Sequence, residues 1–270
     1  MTKFERGMQM LRAGWAVVKQ RPGLAVIAGA GWLVSIAIVG GLAAAFMPEV
    51  GWQGLQGKLV FVLLVQVGMV PATFTNFVIA AIADRHFRGE ELSVGGGFAL
   101  AARRAPQLLA WSAVSMIVGF ILQAVLERFK LGGAIASRLV GLAWGLATMF
   151  VVPVLAIEED SVGDAISRSA KAFKQQWGPS VASDVGLGLV FLGGLLGVGL
   201  LFGLLALVNV IVAGVLAALT FVAAMALFGA TSAVKNVALY RFAAEGVVVG
   251  DYTVEQLNGA FRPKKKRFGR

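Results

Sequence analysis

His86 is the only histidine in the chain, and it lies in the run Asp84-Arg85-His86-Phe87-Arg88. One imidazole cannot build a His-rich metal site, and no HExxH or comparable spacing occurs. Glu158, Glu159, Asp160 and Asp164 form the next candidate cluster, whose oxygens could hold a divalent cation. A simpler reading fits their positions. They close one apolar stretch and open the next helix, where negative charge complements the helix dipole. The triplet Gly95-Gly96-Gly97 lacks the strand context of a dinucleotide fingerprint, and neither a Walker loop nor a GxSxG elbow is present. Without cysteine there is no disulfide framework, thiol nucleophile or thiolate metal site. No catalytic set, metal site or cofactor is implied.

Uncharged polarity remains. Gln66, Thr73, Thr75 and Asn76 surround Pro71 in one apolar stretch, and Thr231, Ser232, Lys235 and Asn236 occupy the matching region of another. Pro71 frees a backbone carbonyl, which neighbouring Thr hydroxyls help to satisfy. Such a seam reads as a substrate or ion site, or as interhelical hydrogen bonding worth about 0.6 kcal/mol per contact. No carboxylate is buried in the core of an apolar stretch, which argues against transport coupled to protons or sodium through membrane carboxylates.

The elements that position these residues are membrane spans. Hydrophobic residues make up 58% of the chain and charged ones 14%, against roughly 25% charged in a soluble domain. The chain therefore lacks the polar surface to cover itself in water. About 20 apolar residues cross the hydrocarbon core, and six stretches qualify: about 23–47, 59–83, 107–126, 139–157, 183–207 and 211–236. The last two come from one uncharged run, Val185 to Val234, which as a single helix would be roughly 75 Å long. A turn around Val208–Asn209 divides it. The first stretch is too long for a signal-peptide h-region of about 7–15 residues, so it reads as a permanent span.

The net charge of +10 does not point to nucleic acid, because the basic residues sit between the apolar runs. All of the 24 Lys and Arg except Lys58, Arg128, Lys130 and Arg138 fall on one side of a six-span topology. That side is the cytoplasmic one by the positive-inside rule, with both termini there.

Each odd-numbered span is preceded by a basic stretch that ends in proline, giving interfacial helices at about 4–20, 93–105 and 161–177. In the first, Phe4, Met8, Leu11, Trp15 and Val18 share a face, and Pro22 follows. In the third, Val162, Ala165, Ile166, Ala170, Phe173 and Trp177 form the apolar stripe, with Arg168, Lys171 and Lys174 off it. Ser161 and Asp164 resemble a capping box. Pro71 and Pro153 interrupt the second and fourth spans, and Gly229 lies at a comparable depth of the sixth. The fold expected is all-α: a polytopic bundle of three parallel-repeat hairpins, each preceded by an amphipathic helix on the cytoplasmic surface.

The spans and interfacial helices occupy residues 1–250 as one transmembrane domain, and residues 251–270 add a short helix and a basic tail. Thr253 and Gln256 make a second capping-box pattern. Lys264, Lys265, Lys266 and Arg267 read as anionic-headgroup ligands or as a tail that fixes topology. Arg103, Arg104, Arg168, Lys171 and Lys174 are headgroup candidates on the interfacial helices. Gly141/Gly145, Gly193/Gly197 and Gly199/Gly203 have the four-residue spacing that lets helices approach closely, within a chain or between chains.

The run Phe150-Val151-Val152-Pro153 through Glu158-Glu159-Asp160 to Ala172-Phe173 resembles a family of six-span bacterial integral membrane proteins known only as a domain of unknown function. Its pattern of Pro-containing span, acidic residues and basic amphipathic helix is also similar to the membrane domains attached to some glycerophosphodiester phosphodiesterases. Nothing resembles the soluble catalytic domain of those enzymes. The resemblance implies a bacterial inner-membrane location and supplies no activity. The function expected is a non-enzymatic scaffold or pore-type subunit that associates with itself or another membrane protein and with membrane lipids. The alternatives are a passive or amphiphile transporter and, third, an integral-membrane lipid enzyme.

Overall fold

A computed structural model describes residues 3–51, 54–128, 131–158, 160–177, 209–258 and 260. These are helical, with no strand among them. Helix α1 (Lys3–Gln20) precedes the long α2 (Gly23–Val50). Next come α3 (Gly54–Gly68), α4 (Val70–Phe87), the short α5 (Val94–Arg103) and α6 (Ala105–Arg128). The chain continues through α7 (Leu131–Thr148), α8 (Val151–Ile157) and α9 (Val162–Trp177), then α10 (Val210–Glu245) and α11 (Val254–Asn258).

Among the described residues, five stretches are long and apolar enough to cross a membrane: Gly23–Val50, Gln56–Phe87, Ala105–Leu122, Val140–Ile157 and Val210–Glu245. They coincide with the first four expected spans and the sixth. The fifth, 183–207, lies outside the described residues.

Local chemistry sets the boundaries. Pro22 stands at the start of α2, where a missing N–H costs nothing. Ser93 caps α5, its Oγ accepting from Gly96 N at 3.0 Å. Asn209 caps α10 by accepting from the Ile211 and Val212 amides at 3.0 and 3.1 Å. The polar residue expected to mark a turn thus starts the last long helix. Thr253 and Gln256 form the reciprocal box, with Gln256 N donating to Thr253 Oγ1 at 3.2 Å and Thr253 N to Gln256 Oε1 at 3.0 Å.

The second and fourth spans are each built from two helices. The α3–α4 break falls at Met69, two residues before Pro71, and the α7–α8 break falls at Met149–Phe150, just before Pro153. Proline cannot donate to the carbonyl one turn back, and each break accommodates that loss. No break occurs at Gly229, and α10 runs straight through it. Glycine keeps its N–H, so the hydrogen-bond ladder continues.

Helix α1 packs on α10, α5 on α4, and α9 on α7 and α8. The buried core concentrates where these pairs meet, with Val78, Ala83, Phe150, Val154, Val234 and Val237 fully enclosed. On α1 the enclosed face is Met10, Ala13, Gly14, Val17 and Val18, while Leu11 and Trp15 are only half-buried. Val18 of the expected stripe is thus enclosed and Leu11 and Trp15 are displaced by one position, while the side chains of Phe4 and Met8 lie outside the described residues. Gly14 explains the displacement: a Cβ there would lie 2.9 Å from the Thr231 carbonyl, so the bare glycine lets α1 close on α10.

Candidate functional site

The three helices that end together on the basic side, α4, α8 and α10, carry the ionisable side chains that the tertiary structure joins. Asp84 is enclosed on α4. Its Oδ1 accepts from Arg241 Nε at 2.6 Å and its Oδ2 from Arg88 Nε at 3.1 Å. Arg241 also reaches Glu245 at 3.4 Å. Both oxygens of a buried carboxylate are therefore taken by guanidinium groups, which offsets the cost of removing the charges from water.

On the next side of α10, the Tyr240 hydroxyl donates to Glu158 Oε1 of α8 at 3.0 Å. Arg168 on α9 binds Asp160 through Nε at 2.7 Å and approaches Glu158 at 3.9 Å. Its hydrogen bond to Asp160, with the nearby carboxylates, raises the guanidinium pKa above the ordinary value. Asp164 accepts instead from the Ser161 hydroxyl at 2.6 Å, and the Asp164 amide donates back to Ser161 Oγ at 3.3 Å, as the capping pattern required. Glu158 and Asp160 thus share Arg168, while Asp164 pairs with Ser161; Glu159 lies outside the described residues. Among the described residues, no group of three His, Cys, Asp or Glu could hold a metal ion. His86 is half-buried beside the Phe87 ring, with centroids 6.1 Å apart.

An aromatic cluster lies under this layer. The Phe150 ring sits 5.9 Å from both Trp177 and Tyr240. Ser169 of α9 bridges the α7–α8 break, accepting from Phe150 N at 3.1 Å and donating to Ala147 O at 2.6 Å. The chain beyond α10 then crosses this face. Gly246 and Gly250 have φ of +71° and +56°, and a Cβ on Gly250 would lie 3.0 Å from the Phe87 ring. Trp177 Nε1 donates to Leu257 O at 3.1 Å, and Gln176 to Asn258 at 2.8 Å. Tyr252 is enclosed in the same crossing segment, and burial raises its hydroxyl pKa above the ordinary tyrosine value.

Three of the polar residues around Pro71 and on α10 face different helices. Gln66 lies against Gly119 of α6 and Thr75 against Gly31 of α2. Thr75 returns its hydroxyl to the Pro71 and Ala72 carbonyls at 3.1 Å, and Thr73 to Met69 at 3.2 Å. Asn76 is exposed. Thr231 faces Gly14 of α1, while Ser232, Lys235 and Asn236 are half-buried. The Asn236 Oδ1 atom is enclosed without a hydrogen-bond partner. A single sequence shows which helix a polar residue occupies, but not which neighbour that helix face meets.

Of the headgroup candidates, Arg103, Arg168, Lys171 and Lys174 are exposed and Arg104 is half-buried. Arg168 and Lys171 border a surface depression of about 340 Å³ with Asp160, Asp164 and Ser167. Lys264, Lys265, Lys266 and Arg267 lie outside the described residues. So do Gly193, Gly197, Gly199 and Gly203. Among the described residues, a Cβ on Gly141 would make ordinary contact with Leu122 at 3.9 Å, and one on Gly145 would meet nothing within 4 Å. The close approaches occur instead at Gly14, Gly31, Gly68, Gly97 and Gly119. None of these has a second glycine four residues away, although Gly31, Gly68, Gly97 and Gly119 each have Ser or Ala at that spacing.

Comparison with known proteins places the chain. The profile of a family of unknown function (DUF6159) matches residues 55–260. No curated protein and no solved structure matches. The chain belongs to that family.

Proposed function

We propose, for this member of a family whose own role is unknown, a non-enzymatic scaffold of the bacterial inner membrane that associates with itself. It spans the membrane six times with both termini cytoplasmic. The asymmetry of lysine and arginine supports the orientation, and the uncharged run that begins at Val185 supports the remaining span.

The packing order supports the threefold repeat. Each surface helix lies on an even-numbered span: α5 on α4, α9 on α8, and α1 on α10. The first helix in the chain thereby takes the place beside the last span and closes a ring. Small residues serve all three contacts, namely Gly97 beside Val78, Ser169 at the α7–α8 break and Gly14 beside Thr231.

One observation carries the functional reading. On the even-numbered spans, Phe77, Val78, Phe150, Val154, Val234 and Val237 belong to one buried cluster, each at most 2% exposed, and the charged groups beside it bind one another. A passage along these described spans would have to break that packing. The reading is therefore a protein that works through its surfaces, on the membrane and on other copies. Native mass spectrometry of the protein extracted with its surrounding lipid tests this. A defined oligomer or a co-purifying membrane protein supports the scaffold. A strict monomer with no partner removes it.

A second reading, transport of an amphiphile, draws on the partnerless Oδ1 of Asn236. Its test is flux into proteoliposomes. An Asn236→Leu variant that folds and transports as the parent does would end it.

A further inference from the structure

The surface helices differ in what they show to the outside. On α9 the exposed side chains include Ser167, Arg168, Lys171, Lys174 and Gln175, all polar. On α5 the exposed edge includes Val94 and Phe98, at 43% and 44%. One turn of helix separates them, so they share a face.

The level of α5 is fixed at three points. Its Val94 side chain lies 3.6 Å from the Cβ position of Gly23, the first residue of α2. At its other end only Arg104 separates it from the span α6. Between them, Gly97 presses against Val78 and Ile82 of α4, where an added Cβ would lie 2.8 and 3.4 Å away. Those residues precede Asp84 by six and two positions. At 1.5 Å per residue, the middle of α5 sits about 3–9 Å deeper than the charged layer at Asp84. A helix in the membrane interface buries its apolar side about 5–10 Å into the headgroup–acyl boundary. The depths agree.

The surroundings of the edge fit the same boundary. Val26, one turn into α2 from Gly23, is 71% exposed. The Arg21–Glu91 ion pair, whose atoms are 3.3 Å apart, flanks the start of α5, and exposed Arg103 ends the helix.

We infer that α5 is a wedge sunk into the leaflet on the basic side, with Val94, Phe98 and Val26 facing phospholipid acyl chains. The triplet Gly95-Gly96-Gly97 has a place in this arrangement, because Gly97 removes the side chain that would hold α5 away from α4. Helix α9, by contrast, turns its outer face to water. The inference rests on the membrane reading above and is independent of self-association.

The chain has no cysteine, so one engineered cysteine gives one label. Phe98→Cys, Val94→Cys and Lys171→Cys variants would each carry a nitroxide in phosphatidylglycerol–phosphatidylethanolamine vesicles. Power saturation with oxygen and with a water-soluble nickel chelate then reads depth. The expected result is a positive depth parameter, with oxygen access exceeding nickel access, at positions 98 and 94, and a negative one at 171. Nickel access at 98 and 94 equal to that at 171 would overturn the wedge by placing the edge in water. Exclusion of both reagents would overturn it equally, because protein would then cover the edge. Val94→Cys keeps the test open should Phe98→Cys fail to fold. A monomer in native mass spectrometry would remove the scaffold and leave this result standing.

Discussion

Arg241 Nε lies 2.6 Å from Asp84 Oδ1 and joins α10 to α4 across 157 positions of sequence. Both side chains are enclosed, at 8% and 6% exposure. In that setting an ion pair is a registry device: it fixes how far two helices can slide, because either charge alone is costly.

Breaking the pair from one side is expected to destabilise the fold by about 3–5 kcal/mol. Asp84→Asn and Arg241→Gln should each show this in thermal unfolding in detergent. The double variant Asp84→Leu/Arg241→Met removes both charges and should recover most of the loss. Singles as stable as the parent would show that the pair carries no structural weight.

Gly31 and Thr75 test helix approach. A Cβ at Gly31 would lie 2.8 Å from Thr75 Cγ2. Gly31→Ala should therefore cost about 1–3 kcal/mol through overpacking, and adding Thr75→Ala should relieve it. Gly145→Ala meets open space, so it should leave the fold intact. If it lowers the oligomeric order in native mass spectrometry, that glycine packs between chains.

Ser169 bridges two backbone groups at the α7–α8 break. Ser169→Ala leaves the Phe150 amide and the Ala147 carbonyl without that partner, for an expected loss of about 1–3 kcal/mol. Thermal unfolding alongside the parent reads the shift. A loss confined to the error of the measurement would show that the break holds itself.

Tyr252 should behave in the opposite way. Its hydroxyl is enclosed without a hydrogen-bond partner, so Tyr252→Phe should be neutral or stabilising by about 1 kcal/mol. Its pKa in the fold is raised by burial, so the folded state keeps the proton that the unfolded chain releases above pH 10. Stability from this group is complete below that pH and falls as pH rises beyond it. The fall attributable to this residue should be absent in Tyr252→Phe when unfolding is compared at pH 8 and pH 11.

Much of the framework was legible from residue type and spacing. The apolar runs gave the stretches now seen at α2, α3–α4, α6, α7–α8 and α10. The Ser161–Asp164 and Thr253–Gln256 pairs marked helix starts, because capping is a hydrogen bond between near neighbours. On α9, Ala165, Phe173 and Trp177 of the expected stripe are enclosed and Val162, Ile166 and Ala170 half-buried, while Ser169 and Ala172, which are not on it, are enclosed too; Arg168, Lys171 and Lys174 are exposed. Helix α1 shows the limit. A large residue such as Trp15 looks more inward than Gly14, yet the glycine marks the contact, since backbone approach depends on an absent side chain.

What the sequence determined by itself is what short-range chemistry enforces: long apolar helices, their starts and their interruptions at proline. Tertiary structure decided which faces meet. It paired Asp84 with Arg241 and Glu158 with Tyr240, and it sent Gln66, Thr75 and Thr231 to three different neighbours. The physical reason is that hydropathy places a helix in a membrane without setting its rotation or its neighbours. Those follow from close packing and from the few polar groups that must find partners away from water.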